Sequence, residues 1–412
     1  MRILWIVNIQ FPPLCDYLNK KTPSSGGWLY SSAQRLVATG SVELYVATFD
    51  EHGATPVDVT INGIRYFTIP YKNADTTKTH AFVRDYWKII NTKCNPDIVH
   101  IHGTEYAHGN DYIHACGAQH VIVSIQGLVG EISYYYTGGL SYKTILKHLS
   151  IRDILLRDSL FHQTKDFSRR GIIERDTLSM VCHIAGRTSW DLSHAWRINP
   201  SAEYHFCGET LREVFYKSKW SYDKCEPYSI FISQSIHPYK GLHKVLEALP
   251  IVLLHFPKTT VYVAGRDMVY KVPWYRRTGY GKIIKRIINK YKLDNHIVFT
   301  GELDETEMCK RYLMSNLFIC SSSIENSPNS LGEAQMLNMP YLCSYVGGVA
   351  DMVDSISCLY RFEDTDMLAY KICRIFELKE KAISHQEGNL RRYDANQNLL
   401  DLLNAYKLIH NQ

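Results

Sequence analysis

An α/β fold built as two Rossmann-like domains follows from three features of the sequence. Short apolar runs alternate with helix-like stretches along the chain, the order expected of parallel sheets covered on both faces. The alternation starts afresh after a polar stretch at residues 217–228. At 412 residues the chain also exceeds what one hydrophobic core usually serves. The expected organisation is a first domain over 1–216, a second over 217–390, and a terminal helix over 391–412 that packs back toward the first.

Bulk properties narrow the function. Hydrophobic residues make up 45% and charged residues 21%, the composition of an ordered globular protein. The net charge of +5 is too small for bulk nucleic-acid binding, but leaves room for a local basic face toward phosphates or anionic lipid. No apolar run is long enough to span a bilayer, and Met1-Arg2 runs straight into a strand-like segment with no signal-peptide pattern. A cytoplasmic protein is expected, with peripheral contact at the inner membrane face as an option. Eleven cysteines without a Cys-x-x-Cys pair suggest neither a disulfide framework nor a zinc site.

In the first half, strands are expected at 2–7, 42–48, 64–69, 97–101, 121–125, 179–183 and 203–206, with helices such as 29–38 and 81–92 between them. The first strand is followed by Asn8-Ile9-Gln10-Phe11-Pro12-Pro13 and not by three spaced glycines, which disfavours a nicotinamide dehydrogenase. Gly26-Gly27 stands instead at the mouth of the first long helix. There it either lets backbone approach an anion or forms a plain loop and cap. His100 and His102 lie at a strand end, and an alternation of side-chain direction is expected to turn one of them, His102, toward a ligand. The next strand end presents Gln126. Residues 134–170 are aromatic and basic, with apolar positions suggesting one or two amphipathic helices. They suit either a membrane surface near a lipid-linked acceptor or an ordinary solvated face. Thr188 or Ser189 is expected to cap a helix, and 209–216 reads as helical.

The second half opens with a strand at 229–233 and the turn Ile236-His237-Pro238-Tyr239-Lys240-Gly241, where Lys240 heads a helix and a cation would reinforce the positive helix end against a diphosphate. Strands follow at 261–264, 296–303, 317–320 and 341–343. After 317–320 comes Ser321-Ser322-Ser323-Ile324-Glu325-Asn326-Ser327-Pro328-Asn329-Ser330-Leu331-Gly332-Glu333, a strand-loop-helix unit with two carboxylates and seven residues between them. Loops of this kind at carboxyl ends of strands bind ligands in open α/β sheets. The local alternative for Glu333 is a capping box with Ser330.

The two spaced glutamates, the Lys240-Gly241 turn and the later Val346-Gly347-Gly348 resemble the retaining nucleotide-sugar glycosyltransferases of family 4, and Gly186-Arg187-Thr188-Ser189-Trp190-Asp191 resembles a segment of their bacterial surface-polysaccharide members. The resemblance implies the GT-B fold, two facing Rossmann-like domains with a cleft between them. It implies transfer of a sugar from a nucleotide donor to a hydroxyl of a glycan or lipid-linked acceptor, requiring no metal or other cofactor; no nucleic-acid partner is expected, in line with the modest net charge. Glu325 would contact the donor sugar and Glu333 the ribose. Backbone at Asn329 and Ser330 would approach the diphosphate, Gly26 and Gly27 would face its phosphates, and Gly301 and Leu303 would lie along the base. Acceptor choice would fall mainly to the first domain, with His102 among its residues.

Two positions depart from that pattern. Gln126 stands where many relatives have histidine. An amide can hydrogen-bond the reacting centre but cannot act as a general base. Ser235 replaces the usual arginine five residues before Lys240, and Arg266 is the candidate substitute. These departures keep open a non-catalytic sugar-nucleotide-binding module, and a GT-B epimerase or phosphorylase is a further alternative. No histidine–carboxylate cluster at ligand spacing is visible, and Asp364-Thr365-Asp366 reads as a helix cap.

Overall fold

The computed structural model describes residues 1–23, 26–71, 75, 77–353, 355–379 and 390–412. The chain divides into two compact units, one of Met1–Glu131, Phe167–Thr210 and Arg392–Gln412, the other of Ile132–Asp166 and Leu211–Arg391. This differs from the sequence boundaries, because residues 132–166 count with the second unit. Their anchors are specific: Ser323 Oγ donates to the Tyr135 carbonyl at 2.9 Å, His243 Nε2 lies 2.8 Å from the Gly138 carbonyl, and Gly279 N–H donates to Asp153 at 2.8 Å. The helix Ala395–His410 belongs to the first unit, where Tyr406 Oη meets Trp5 Nε1 at 2.9 Å and His100 Nδ1 at 2.6 Å.

The first unit has an eight-stranded sheet in the order β3-β4-β2-β1-β5-β6-β7-β8. Its strands are β1 (Arg2–Ile6), β2 (Glu43–Asp50), β3 (Val57–Ile61), β4 (Ile64–Pro70), β5 (Ile98–His102), β6 (Val121–Ser124), β7 (His183–Gly186) and β8 (Glu203–Phe206). All pairs are parallel except β3 with β4. The alternation within β1 explains the two-sided core. Ile3 and Trp5 join Leu29, Ala33 and Leu36 of the helix Gly27–Ala38, whereas Leu4 and Ile6 join Val83, Trp87 and Ile90 of the helix Ala81–Cys94.

The expected strand at 179–183 is corrected: the helix Leu160–Met180 runs through its start, and β7 begins only at His183. Leu178 and Val181, three apart and both buried, mark one helix face and its exit, not a strand. The helix expected at 209–216 shrinks to Glu213–Tyr216. Thr188 caps the helix Ser189–Ile198 through a capping box with Asp191, as the sequence suggests. All eleven cysteines are free.

The second unit has a six-stranded, wholly parallel sheet in the order β11-β10-β9-β12-β13-β14. The strands are β9 (Glu226–Ile232), β10 (Thr260–Ala264), β11 (Ile297–Gly301), β12 (Ser315–Cys320), β13 (Tyr341–Ser344) and β14 (Leu359–Tyr360). Every residue of β12 is buried, as expected of an interior parallel strand. From β9 the chain builds outward through β10 and β11, then returns to the opposite side of β9 with β12. The order therefore reverses between β9 and β12, and in open α/β sheets ligands bind outside the carboxyl ends at such a reversal.

Candidate functional site

At that reversal the loops leaving β9 and β12 meet. After β9 a 3-10 turn, Pro238–Lys240, leads through Gly241 into the helix Leu242–His255. After β12 the loop 321–328 leads into the helix Asn329–Met336. Lys240 Nζ donates to Glu325 Oε1 at 2.6 Å, and Ser322 Oγ donates to the same oxygen at 2.6 Å. Burial works against the Lys240 ammonium, but the Glu325 carboxylate outweighs it and holds the lysine above its ordinary range. The lysine is therefore a fixed positive charge at neutral pH.

Bonds to backbone carbonyls fix these two loops to each other and to the turn after β13. Ser323 N–H donates to the Tyr239 carbonyl at 2.7 Å, Ser321 Oγ to the Lys240 carbonyl at 2.9 Å, and Gly348 N–H to the Glu325 carbonyl at 3.0 Å. Two glycines permit this approach. Gly241 has a φ of 73°, and a Cβ there would stand 1.7 Å from the Ser321 carbonyl oxygen. Gly347 has a φ of 50°, and its Cβ would stand 1.9 Å from that of Glu325.

Glu333 lies within the helix Asn329–Met336 and is buried. The capping-box alternative is not realised, since Pro328 is the N-cap and Ser330 sits inside the helix. Glu333 Oε1 instead receives both Nε, at 2.9 Å, and a terminal nitrogen of Arg212. Burial pushes the Glu333 carboxyl upward against the pull of Arg212, and the Arg212 guanidinium is held above its usual range despite burial. Arg212 is absent from the sequence expectation. It precedes the short helix Glu213–Tyr216 and lies 121 positions from its partner, so no local pattern marks it.

The other expected donor contacts are distributed over the same sheet end. Asn329 and Ser330 open a helix with no side-chain cap, and the Ser330 carbonyl accepts from Tyr312 Oη at 2.9 Å. Gly301 ends β11 with a φ of 85° and accepts from Gly265 N–H at 2.8 Å, with half-buried Leu303 two residues on. Ser235 is 1% exposed, and its hydroxyl has no hydrogen-bond partner among the described residues. Arg266 is exposed and lines a cavity of about 260 Å³ together with Ile236, His237, Pro238, Arg152 and Arg276. It thus stands beside the turn that holds Ser235, without a direct bond to it.

Gln126, His102, Gly26 and Gly27 belong to the first unit. Gln126 lies two residues beyond β6, and His102 ends the neighbouring β5. The expected alternation of His100 and His102 is corrected: residues two apart share a strand face, and the two rings stack with centroids 3.7 Å apart. Both are buried, and burial holds His102 well below its ordinary range, hence neutral. Gly26 has a φ of 82° and caps the helix Gly27–Ala38; Ser24 and Ser25 lie outside the described residues. Arg187, just past β7, is buried in an ion pair with Glu209 at 2.5 Å and faces the Trp28 ring at 5.5 Å.

Asp364 accepts from Met367 N–H at 2.9 Å and caps the helix Thr365–Leu378, as the sequence suggests. The sequence shows no histidine–carboxylate cluster at ligand spacing, but the pairing of β7 with β8 brings one such group together. His183, Glu203 and His205 of the first unit bring ligand atoms within 4.8 Å of one another.

With this geometry in place, known proteins are informative. Residues 216–389 match the family model described as glycosyl transferases group 1. That span contains Lys240, Glu325 and Glu333. Among solved structures, sucrose-phosphate synthase from Thermosynechococcus elongatus is 14% identical, covers 99% of each chain and has a TM-score of 0.71. HepE from Anabaena in complex with UDP-glucose is 14% identical over 98% of this chain and 100% of its own, with a TM-score of 0.64. WaaG, a glycosyltransferase involved in lipopolysaccharide biosynthesis, is 12% identical over 99% of each chain, with a TM-score of 0.60. The fold is GT-B. No curated protein matches the chain in sequence.

Proposed function

We propose that the protein is a retaining glycosyltransferase that moves a sugar from a nucleotide-sugar donor to a hydroxyl of a glycan or lipid-linked acceptor in polysaccharide synthesis. The observation that carries this reading is the Lys240–Glu325 pair at the switch point of the second sheet, inside the span that matches the group 1 glycosyltransferases. That HepE is seen with UDP-glucose supports a nucleotide diphosphate sugar as donor.

In this reading the bond from the anomeric carbon to the diphosphate breaks as a bond to the acceptor oxygen forms on the same face. The acceptor proton passes to the departing phosphate oxygen. Lys240 and the first amides of the helix Asn329–Met336 compensate the charge that develops on the diphosphate, which is an electrostatic role and requires no metal. Glu325 accepts hydrogen bonds from donor-sugar hydroxyls, and Glu333, steadied by Arg212, binds the ribose. Gln126 is a positioning amide and takes no proton.

We further assign residues 134–170 to peripheral contact with a membrane that presents the acceptor. No helix among the described residues is long and apolar enough to cross a membrane. The short helices Tyr142–Lys147 and Ile151–Leu155 nevertheless leave Tyr142, Ile151, Ile154 and Leu155 exposed, Ile151 by 77%, beside Lys143 and Lys147.

The test of the overall reading is a binding and turnover screen against a panel of nucleotide sugars, with the anomeric configuration of the product determined. Turnover with retention is expected. Binding without turnover for any acceptor would favour a non-catalytic module, and inversion would exclude the retaining mechanism.

A further inference from the structure

Beyond the sugar-nucleotide site, the first unit holds a group of side chains with the chemistry of a metal site. In the parallel pair β7–β8, His183 is in register with Glu203 and Ala185 with His205. Partners in register share a sheet face, and so do residues two apart on one strand. His183, Glu203 and His205 therefore point to one side. His183 Nδ1 lies 3.1 Å from His205 Nε2 and 3.8 Å from Glu203 Oε2.

A second observation fixes which lone pair is presented. The other ring nitrogen of His183, Nε2, lies 3.1 Å from Gln412 Oε1, and an amide oxygen only accepts. With the proton on Nε2, Nδ1 offers its lone pair to the group; without metal it accepts from His205 Nε2 at 3.1 Å, and His205 carries its proton on Nδ1 once a metal takes the place of that contact. Metal-binding histidines are commonly oriented in this way, by donation from the far nitrogen to a carbonyl or carboxylate oxygen. Two nitrogens each about 2.0–2.1 Å from a tetrahedral zinc stand about 3.3 Å apart, close to the separation found here. His183 is buried, His205 half-buried and Glu203 exposed, so the group opens to solvent on one side, where water can complete the coordination.

We propose that His183, Glu203 and His205 bind one divalent transition-metal ion of the zinc type, which fastens the edge strand β8 to β7. Two imidazoles and one carboxylate select zinc and its late first-row neighbours over magnesium and calcium, which prefer oxygen ligands alone. The group lies toward the amino-terminal ends of β7 and β8, opposite the end at which β5 and β6 present His102 and Gln126. Its role is structural.

The test is calorimetric titration of zinc chloride into the full chain, made without a histidine tag and cleared of metal by chelator, together with melting curves. One zinc per chain is expected, with a rise in melting temperature. His205→Ala should weaken binding at least ~10-fold and remove the thermal gain. Glu203→Gln alters an exposed side chain and decides the matter if His205→Ala does not fold. It should weaken binding while leaving the zinc-free melting temperature unchanged. No binding by the parent, or equal binding by parent and variants, would overturn the proposal.

Discussion

Lys240 Nζ lies 2.6 Å from Glu325 Oε1, joining the loop after β9 to the loop after β12 where the strand order of the second sheet reverses. A fixed cation and an acceptor-rich carboxylate thus occupy one point, the combination that a diphosphate and its attached sugar require. Glu325→Ala should lower turnover at least ~100-fold, from loss of charge-assisted bonds to the sugar and from its misplacement. Glu325→Gln, which keeps an acceptor of the same shape, should fall between that variant and the parent. Steady-state kinetics on folded variants decide this, and near-parental activity of Glu325→Ala would remove the residue from the site.

Arg212 and Glu333 form a buried pair, so truncating one member strands the other. Arg212→Ala should destabilise the fold by about 3–5 kcal/mol, whereas Arg212→Met with Glu333→Leu should recover much of that loss. Urea denaturation of the three proteins measures it. Parental stability in Arg212→Ala would show that the carboxyl is not dependent on the guanidinium.

Acid should destabilise the second unit through its enclosed histidines. His243 Nε2 faces the Gly138 carbonyl at 2.8 Å and Nδ1 faces Tyr280 Oη at 3.1 Å, a neutral ring satisfied on both sides. Burial lowers it to about 4, and burial with the nearby Lys240 charge lowers His237 to about 4. Both folded values lie below the unfolded value of about 6.5, so the unfolded chain binds more protons between them. Stability should therefore be full above pH ~6.5 and fall as pH drops through ~4. Melting curves across this range should be flatter for His243→Gln, and an unchanged slope would contradict the assignment.

The membrane assignment has its own readout. Binding to vesicles containing anionic lipid should weaken with salt, with charge reversal at Lys143 and Lys147, and with Ile151→Ser. Absence from such vesicles at low salt would return this surface to ordinary solvent contact.

What the sequence revealed and what it concealed have physical causes. Interior parallel strands such as β12 are continuous apolar runs and stand out. The hairpin strand β3 does not, because its burial alternates weakly at a sheet edge; its one local mark is Asn62-Gly63, both with positive φ, closing the turn to β4. The spacing of Glu325 and Glu333 is local and legible. Arg212 meets Glu333 from 121 positions away, and His183 meets Glu203 and His205 only because β7 and β8 pair in parallel across the intervening helix, so no local spacing rule marks either group. The paired direction of His100 and His102 was within reach of the period of a strand alone.

The most direct test of the central claim is steady-state turnover of the nucleotide sugar by parent and Lys240→Ala, each with and without chelator. Position 235 is serine, and the proposed mechanism therefore assigns Lys240 much of the compensation for the leaving diphosphate. The account predicts that chelator leaves the parent unchanged and that Lys240→Ala loses roughly 2 to 4 kcal/mol of transition-state stabilisation, about 30- to 1,000-fold in kcat/KM. Loss of parental turnover in chelator with recovery on added magnesium, or an unimpaired Lys240→Ala, would contradict it.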